Sequence, residues 1–466
     1  MRIRQGPATP ERDVDAPVPS PLERIVFSNF SKEQILTERW TAGVRQTAAY
    51  LSVDLAMLGR VDMATRIQEL LHNPAYIPKG MYDGAANYWP CLNFAWEAAH
   101  IQGPNMDDEE ALQKRQEDEV LYVEKQCFEA PPNDKHQIEV ENDLRRIFHE
   151  GIDSFDEDEV VATMTKLSDM CTPGSFQGRA VRARAIDYLM RKGRRQEAEN
   201  MLGLATQAIQ NSAYKLHNEM PKLRYAWRLL VTGVLRDQLG IDNRELEEKG
   251  GQAIHTIQQR LRDGPIRPLA LEPMEELAGI VEAKFGYKIR NPPVNDEDIA
   301  GAEARLDVPL PRDLKAFLHT SNGFSRDEVV VINSISALKW QPPLIPEYQL
   351  SLLPGVDAYK GPDIEYVALD RVISLSGYSR LGNEYVYLIE PHFVNEARTR
   401  LRDYYENQAQ PEMRTIMDKC VKDYFGGWDE LQQLDWGITR FRKYDCDFVP
   451  GFHIFLEDLA VRPVEL

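Results

Sequence analysis

The residues nearest to a catalytic or metal-binding pattern are a serine between two glycines and a run of acidic residues. Ser379 lies between Gly377 and Gly382, one residue longer than the nucleophile elbow of serine hydrolases, and between two predicted strands. The sequence therefore predicts a hairpin turn there. The acidic run at 153–159 lacks the glycine and the final glutamate of an EF-hand loop, so we expect a helix N-terminus.

Other motifs that carry chemistry do not occur in the sequence. It has no Gly-x-x-x-x-Gly-Lys-Ser/Thr phosphate loop, no Gly-x-Gly-x-x-Gly and no His-Glu-x-x-His. The nine histidines never stand at metal-ligand spacing, and a single histidine is more often packed or solvated than a ligand. We therefore expect a protein that is not an enzyme, with no catalytic residue, no cofactor and no metal.

The length of the chain indicates how many domains it forms, and its net charge limits the kinds of partner that the protein could bind. A chain of 466 residues is too long for one compact core, so we expect two or three domains. The net charge of -19 argues against nucleic-acid binding and against attraction to anionic membranes. An acidic surface suits basic or polar protein partners, and we do not expect a small-molecule ligand.

The five cysteines are typical of a reducing compartment. Their number is odd, they are scattered along the chain, and no Cys-x-x-Cys occurs, so we expect buried thiols rather than disulfides. No apolar stretch follows the N-terminus, and no run of about 18 apolar residues is present. These features predict a cytoplasmic or nucleocytoplasmic protein without membrane insertion.

The first part of the chain divides into a tail and a helical region. Residues 1–20 are rich in proline and charge and predict a disordered tail. Residues 21–290 show apolar residues at helical spacing and few alternating β-branched runs, which predicts an all-α domain of paired helices. We place the domain boundary at the Asn-Pro-Pro hinge of residues 291–293.

One segment of this region suggests a repeat. Gly193 ends a predicted helix, and Ala198 and Ala205 follow at positions where small residues let two antiparallel helices approach closely. This spacing resembles a tetratricopeptide unit, and Gly59 with Ala64 is a fainter copy. A generic helical hairpin is the alternative.

Residues 291–466 predict an α+β domain. Two short amphipathic helices at 299–306 and 313–319 are separated by prolines, and Asn322-Gly323 supplies the positive φ that ends the second. We expect Asp296 or Asp298 to cap the first helix. The remaining predicted elements are strands at 329–332, 372–375 and 384–389 and helices at 394–407, 411–422 and 451–459.

The order of these elements resembles the SUKH superfamily, which contains fungal cell-wall-assembly regulators and bacterial toxin-immunity proteins. The resemblance covers residues 295–462, with a long proline-rich insertion at 341–369 and extra helical residues at 394–427 that look like the larger fungal form. It implies a central sheet against helices, a protein-binding role and no catalytic residues. The matching positions are Glu303, Leu306, Leu310, Pro311, Leu314, Phe317, Ser321, Asn322, Gly323, 382–391 and 452–457.

Five tryptophans are the candidate partner-binding residues, because aromatic side chains are favoured at interface hot spots. A position in the hydrophobic core is the alternative for each. The SUKH resemblance implies ligand binding across a sheet face, which favours the last three. The candidates are Trp89, Trp96, Trp340, Trp428 and Trp436.

We therefore expect a non-catalytic protein-interaction module or scaffold. The resemblance implies a regulator of fungal cell-wall synthesis or growth signalling. A second hypothesis is an immunity-type neutraliser, whose acidic surface would complement the basic active site of a toxin. A third hypothesis is an enzyme whose site the sequence does not reveal.

Overall fold

The protein is mostly helical, and a small antiparallel sheet region lies in its C-terminal part. This content is compatible with the predicted all-α region followed by an α+β region. The predicted tail lies outside the described residues except for Ser20, which caps the first helix. The computed structural model describes residues 20–39, 41–76, 89–101, 109–129, 135–172, 175–210, 216–285, 288–326, 329–343, 349–353, 367–376, 385–441 and 446–461.

The chain forms two compact units, each drawn from several segments. The first, called here the helical unit, comprises Met1–Phe30, Ala49–Arg66 and Asn87–Gln252. The second, the mixed unit, comprises Ser31–Ala48, Ile67–Ala86 and Ala253–Leu466. The boundary that the sequence predicts between residues 290 and 291 therefore falls inside the mixed unit.

The first fourteen described helices precede any described strand. They are α1 (Pro21–Ile25), α2 (Lys32–Thr37), α3 (Thr41–Met57), α4 (Val61–Leu71), α5 (Trp89–Ala99), α6 (Glu109–Gln126), α7 (Lys135–Glu150), α8 (Glu157–Met170), α9 (Phe176–Arg191), α10 (Arg195–Gln210), α11 (Trp227–Leu230), α12 (Val234–Gln238), α13 (Asn243–Asp263) and α14 (Met274–Lys284). In the helical unit, α7, α8, α9 and α10 each pack against the next in the chain. Sequential helical hairpins are therefore the building principle of this part of the unit.

The turn between α9 and α10 has the conformation that the sequence predicts. Gly193 has a φ of +77°. Its amide donates to the carbonyl of Met190 at 3.2 Å, and the amide of Arg194 donates to Leu189 at 2.9 Å. This pair of bonds is the Schellman motif, which closes a helix and favours glycine because of the positive φ. Ala198, at the start of α10, is fully buried.

The turn between α3 and α4 repeats this arrangement. Gly59 has a φ of +84°, and its amide donates to Ala56 at 3.0 Å. The amide of Arg60 donates to Leu55 at 2.9 Å, and Ala64 is fully buried. The turn at Gly59, the fainter match in the sequence, therefore has the same backbone geometry as the turn at Gly193. Membership of the tetratricopeptide group stays a prediction.

The mixed unit contains the described strands. Its later elements are α15 (Asp296–Leu306), α16 (Arg312–Leu318), β1 (Phe324–Arg326), β2 (Val329–Ile332), β3 (Trp340–Gln341), β4 (Gln349–Leu350), β5 (Val367–Ala368), β6 (Val372–Ser376), β7 (Tyr385–Ile389), α17 (Pro391–Asn407), α18 (Pro411–Phe425), α19 (Trp428–Gln432), β8 (Gly437–Phe441), β9 (Cys446–Val449) and α20 (Phe452–Val461). The main sheet has the order β3-β6-β7-β8-β9, and every neighbouring pair is antiparallel. Two further strand pairs, β1–β2 and β4–β5, stand outside it.

Helices cover both faces of the main sheet. Along β7, Leu388 points into a core shared with α14, α15, α16 and α20. Its neighbours Tyr387 and Ile389 point into a second core shared with α17, α18 and α19. Successive side chains of a strand alternate between faces, so the two cores lie on opposite sides. The expectation of a ligand bound across an open sheet face does not fit the described residues.

The segment around residue 291 is part of the mixed unit rather than a free hinge. In α14, Leu277 and Val281 are fully buried in the core that α20 completes. Asn291 donates through Nδ2 to the carbonyl of Asn322 at 3.0 Å, and the backbone of Arg290 forms an isolated antiparallel β-bridge with that of Phe324. These contacts explain why the predicted boundary differs from the observed units.

Local capping differs in detail from the sequence expectation. The N-cap of α15 is Asn295, not Asp296, and Asn295 Oδ1 accepts from the Asp298 amide at 2.9 Å. Asp298 completes the capping box, because its carboxylate accepts from the Asn295 amide. Gly323 has the predicted positive φ of +83°, although α16 already ends at Leu318. The residues that set these turns are therefore identified to within a few positions.

The β8–β9 hairpin is missing from the sequence prediction. The predicted strands at 329–332, 372–375 and 384–389 correspond to β2, β6 and β7, and the three predicted C-terminal helices correspond to α17, α18 and α20. In β8, Gly437 lies so close to Phe448 that a β-carbon would be 2.3 Å from its ring. A glycine makes a strand harder to predict from the sequence, but the close approach of Phe448 on β9 leaves no room for a larger residue at position 437.

Candidate partner-binding surface

Two helices and the start of a third bring one tryptophan, one tyrosine and two arginines together in the mixed unit. The rings of Tyr405 and Trp428 lie 4.6 Å apart, centroid to centroid. Arg402 lies 5.0 Å above the indole, and Arg414 lies 5.7 Å from the phenol ring. The indole nitrogen of Trp428 donates to Asp418 Oδ1 at 2.8 Å. We call these five residues the aromatic platform.

Helical spacing and one glycine turn produce the platform. Arg402 and Tyr405 are three residues apart on α17, and Arg414 and Asp418 are four apart on α18, so each pair shares a helix face. Gly426 ends α18 with a φ of +100°. That left-handed conformation, which glycine adopts at low cost, reverses the chain so that Trp428 opens α19 beside both helices.

The platform is anchored but not enclosed. Tyr405 and Trp428 pack against the second core with part of their surfaces, while Asp418 is exposed. Burial, followed by the hydrogen bond with Asp418, raises the pKa of Tyr405, so its hydroxyl stays a donor at neutral pH. Arg414 is held by the carbonyls of Glu406 and Ala409 at 2.8 and 3.0 Å. The surface is therefore preorganised.

Trp340 lies on strand β3 and is half-buried, as Trp428 is. Its indole nitrogen donates to the carbonyl of Leu306 at 2.8 Å, and the Arg371 guanidinium lies 4.3 Å above its ring. Arg371 in turn binds both oxygens of the buried Glu390, at 2.9 and 3.1 Å. The indole nitrogen and the arginine are therefore both held by other residues of the mixed unit.

Two of the other candidate tryptophans lie in hydrophobic cores. Trp96 is 3% exposed, and its indole nitrogen donates to Thr65 Oγ1 at 2.8 Å. Trp436 is 8% exposed and belongs to the core between the sheet and α20. Trp89 opens α5, but its side chain lies outside the described residues. Of the four candidates whose side chains are described, Trp428 has the most suitable surroundings for a partner, because a second aromatic ring and exposed carboxylates lie beside it.

Sequence reasoning named Trp428 but missed its four neighbours. The signal was present in the spacing of Arg402 and Tyr405 and of Arg414 and Asp418 within two predicted helices. Nothing in the sequence says that the two faces meet. The contact between them depends on how α17 and α18 pack under the sheet.

The acidic run forms a helix N-terminus, as the sequence predicts. Asp156 caps α8 and accepts from the Asp158 amide at 3.0 Å. Lys192 lies 3.2 Å from Asp153 and 3.3 Å from Glu157, so it pairs with two carboxylates of the acidic run within the helical unit. The predicted turn around Ser379 lies outside the described residues. Among the residues that are described, no cluster of three metal-ligating side chains occurs.

The four cysteines whose side chains are described are free thiols. Burial raises the pKa of Cys91 and of Cys420 to about 12, and that of Cys171 to about 11. The pKa of Cys127 is raised further by the same cause. Because the thiolate is the nucleophile, these groups are unsuited to covalent catalysis at neutral pH.

Comparison with known proteins gives no assignment. No family model, no curated protein and no solved structure matches the chain. The SUKH resemblance therefore stays an interpretation of the sequence. None of the helices in the described parts of the chain is long and apolar enough to cross a membrane.

Proposed function

We propose that this protein is a non-catalytic interaction module that binds a protein partner through the aromatic platform. The observation that carries the proposal is the packing of Trp428 on Tyr405 beneath Arg402, with part of both rings accessible. Tryptophan, tyrosine and arginine are the residues most enriched at binding hot spots. Rigid rings also lose little conformational entropy when a partner binds.

The charges around the platform favour a partner with an exposed basic segment. Asp418, Asp429 and Glu430 are exposed on α18 and α19, and the whole chain carries a net charge of -19. Arg402 pairs with Glu406, and Arg414 donates to two backbone carbonyls, so Asp429 and Glu430 are the charges offered to a partner. A lysine or arginine of the partner would pair with one of these carboxylates.

The biological setting follows only from the SUKH resemblance. On that basis we propose a cytoplasmic regulator or scaffold in fungal cell-wall synthesis or growth signalling. The buried free thiols are consistent with a reducing compartment. The exposed carboxylates at the platform equally suit the basic active site of a nuclease, which keeps the toxin neutraliser as a second candidate.

The test compares partner capture by the full chain and by two variants of matched chemistry. Trp428→Ala removes the centre of the platform. Tyr122→Ala removes an exposed tyrosine of the helical unit that also carries a cation, Lys222, 3.8 Å from its ring. We expect Trp428→Ala to lower recovery of the specific partners from source-cell lysate at least tenfold, an expected hot-spot effect of about 2 kcal/mol.

Tyr122→Ala should leave recovery unchanged, and circular dichroism should show that both variants are folded at the temperature of the capture experiment. Equal recovery by all three proteins would show that the platform is not the binding site. Recovered kinases or cell-wall synthases would favour the regulator, whereas stoichiometric inhibition of a nuclease would favour the neutraliser.

A further inference from the structure

Glu141 is a buried carboxylate whose negative charge no described residue balances. Its side chain belongs to α7 in the helical unit and is 3% exposed. The side-chain amides of Gln137 and Gln177 donate to Oε1 at 3.0 and 2.6 Å. Among the residues that the structure describes, none donates to Oε2, and no basic nitrogen lies within 4.0 Å of the carboxylate. Two neutral amides therefore hold Glu141 without neutralising it.

The other buried acidic side chains of the described residues all have a basic partner. Each lies within 4.0 Å of a lysine, arginine or histidine nitrogen, as expected because a buried charge without a counter-charge is strongly destabilising. They are Asp54, Asp187, Glu219, Glu390, Asp423 and Glu457. Glu141 is the exception within the described chain, which points to a counter-charge supplied by a ligand.

The arginine best placed in the sequence does not supply this counter-charge. Arg145 follows Glu141 by four residues on α7, the spacing at which acidic and basic side chains commonly pair. Its guanidinium instead lies 4.0 Å from the centroid of the Phe128 ring. The contact with Phe128 therefore takes the place of an ion pair with Glu141.

Four helices of the helical unit fix the two amides that hold the carboxylate. Gln137 and Glu141 are four residues apart on α7 and share a face, and Gln177 lies in the first turn of α9. Gln177 also donates to the carbonyl of Cys127, next to the end of α6, at 2.9 Å. It accepts from the thiol of Cys171, the C-cap of α8, at 3.4 Å. The carboxylate is therefore preorganised before any ligand binds.

Exposed apolar side chains adjoin the carboxylate. Ile138, three residues before Glu141 on α7, is 43% exposed, and Phe176, next to Gln177, is 57% exposed. Residues three apart on a helix are neighbours on its surface, so Glu141 lies beneath apolar groups that solvent reaches. A ligand that pairs with Glu141 therefore needs an apolar stem as well as a positive charge.

The surrounding groups favour an organic cation over a metal ion. Burial, followed by the charge of Glu141, raises the pKa of Cys171 to about 11, so the thiol stays protonated at neutral pH. A protonated thiol is a poor metal ligand. No group of three metal-ligating side chains occurs within the described ranges. An ammonium group, with one charge and N–H donors, matches a single carboxylate better.

We propose that Glu141 anchors a binding site for a primary alkylammonium group. One N–H of the ammonium donates to Glu141 Oε2, the oxygen that the two glutamines leave open. The alkyl stem packs against Ile138 and Phe176. Free amines and the lysine side chains of proteins both carry this group. The site lies in the helical unit and does not depend on the aromatic platform, which belongs to the mixed unit.

The first experiment measures binding of n-butylammonium to the full chain by isothermal titration calorimetry. At about pH 7.5 a primary alkylamine is charged. We expect saturable binding with a Kd on the order of 1 mM, as suits so small a ligand. Titrations with 1-butanol and with sodium chloride, the neutral and the ionic controls, should give no saturable heat. Absence of saturable binding by n-butylammonium, or equal binding of 1-butanol, would overturn the proposal.

A pair of matched variants tests the role of the carboxylate. Glu141→Gln keeps the shape and one acceptor but removes the charge, and Glu139→Gln makes the same change at an exposed position of α7. We expect Glu141→Gln to weaken n-butylammonium binding about tenfold or more, the loss expected for a hydrogen bond between charged groups. Glu139→Gln should bind like the native chain. Equal affinities in all three proteins would contradict the site.

Two further variants keep the test valid if Glu141→Gln does not fold. Phe176→Ser changes an exposed side chain and should weaken binding about threefold, because the alkyl stem loses apolar contact. Arg145→Gln should leave the affinity unchanged. An unchanged affinity in Phe176→Ser would contradict the proposed position of the stem. Binding that appears only in Arg145→Gln would show that this arginine occupies the site in solution, and would overturn the proposal.

A peptide comparison identifies the source of the ammonium group. The probes are n-butylammonium, a blocked glycine-lysine-glycine peptide, and the same peptide with norleucine in place of lysine. A lysine peptide that binds at least as tightly as n-butylammonium assigns the site to a lysine of a protein partner. Binding of n-butylammonium alone assigns it to a free amine. Equal binding of the norleucine and lysine peptides would show that the charge is not recognised, against the proposal.

Discussion

Asp423 shows how the mixed unit accommodates a buried charge. Its Oδ2 accepts from Thr41 Oγ1 at 2.6 Å and from Lys419 at 3.1 Å, and it lies 3.6 Å from the Arg260 guanidinium. Arg260 is fully buried and also donates to the Glu38 carbonyl. A buried charge is tolerated only when its partners are in place. This one carboxylate therefore joins α3, the end of α13 and α18 within the mixed unit.

Removal of the Asp423 carboxylate should strongly lower the stability of the mixed unit. We expect Asp423→Ala to destabilise the mixed unit by about 3–5 kcal/mol, because Arg260 would stay buried without its counter-charge. Urea unfolding of the full chain measures the effect. Asp429→Ala, which removes an exposed aspartate of the same unit, should change stability by less than about 0.5 kcal/mol. Similar midpoints for the two variants would show that Asp423 contributes no more than a surface charge.

Helical hairpins with glycine turns are the recurrent element of the helical unit. Gly59 and Gly193 share the same hydrogen bonds and the same sign of φ, but their surroundings differ. A β-carbon on Gly193 would meet no atom within 4 Å, whereas one on Gly59 would lie 2.9 Å from the backbone of Gly233. The second turn is therefore constrained by a tertiary contact as well as by its own conformation.

The two glycines make a matched pair of substitutions. Gly193→Ala should lower the free energy of unfolding by about 1–2 kcal/mol, because a β-carbon is strained in the left-handed region. Gly59→Ala should cost about 1–3 kcal/mol more, because the backbone of Gly233 has to move. Thermal unfolding of the two variants against the native chain checks the order. A Gly193 variant as unstable as the Gly59 variant would contradict the role of the close approach.

At the scale of the whole molecule, residues that share one compact unit come from segments that lie far apart in the chain. The mixed unit takes in Ser31–Ala48 and α14 as well as the C-terminal residues. A fragment that starts at residue 291 would lack Leu277 and Val281, both fully buried in its core. Experiments on separate halves would therefore expose apolar surface, and tests of function need the full chain.

Leu314 offers a test of the mixed unit in the full chain. Its side chain is 1% exposed in the core, so Leu314→Asp should destabilise the unit by more than about 4 kcal/mol. Ala316→Asp, at an exposed position of the same helix, should be nearly neutral. Hydrogen exchange should show lost protection in α15, α16 and α20, while the helical unit keeps its protection. Normal protection in Leu314→Asp would show that the core assignment is wrong.

The sequence by itself determined the features that depend on neighbouring residues. Helix spacing, the glycine turn at Gly193, the positive φ of Gly323 and three strands follow from local periodicity and backbone sterics. The tertiary structure alone decided which apolar residues meet. Aromatic content could not separate the buried Trp436 from the half-buried Trp428, because burial depends on elements far away in the chain. For the same physical reason, the covering of both sheet faces, the inclusion of α14 and the aromatic platform could be found only in three dimensions.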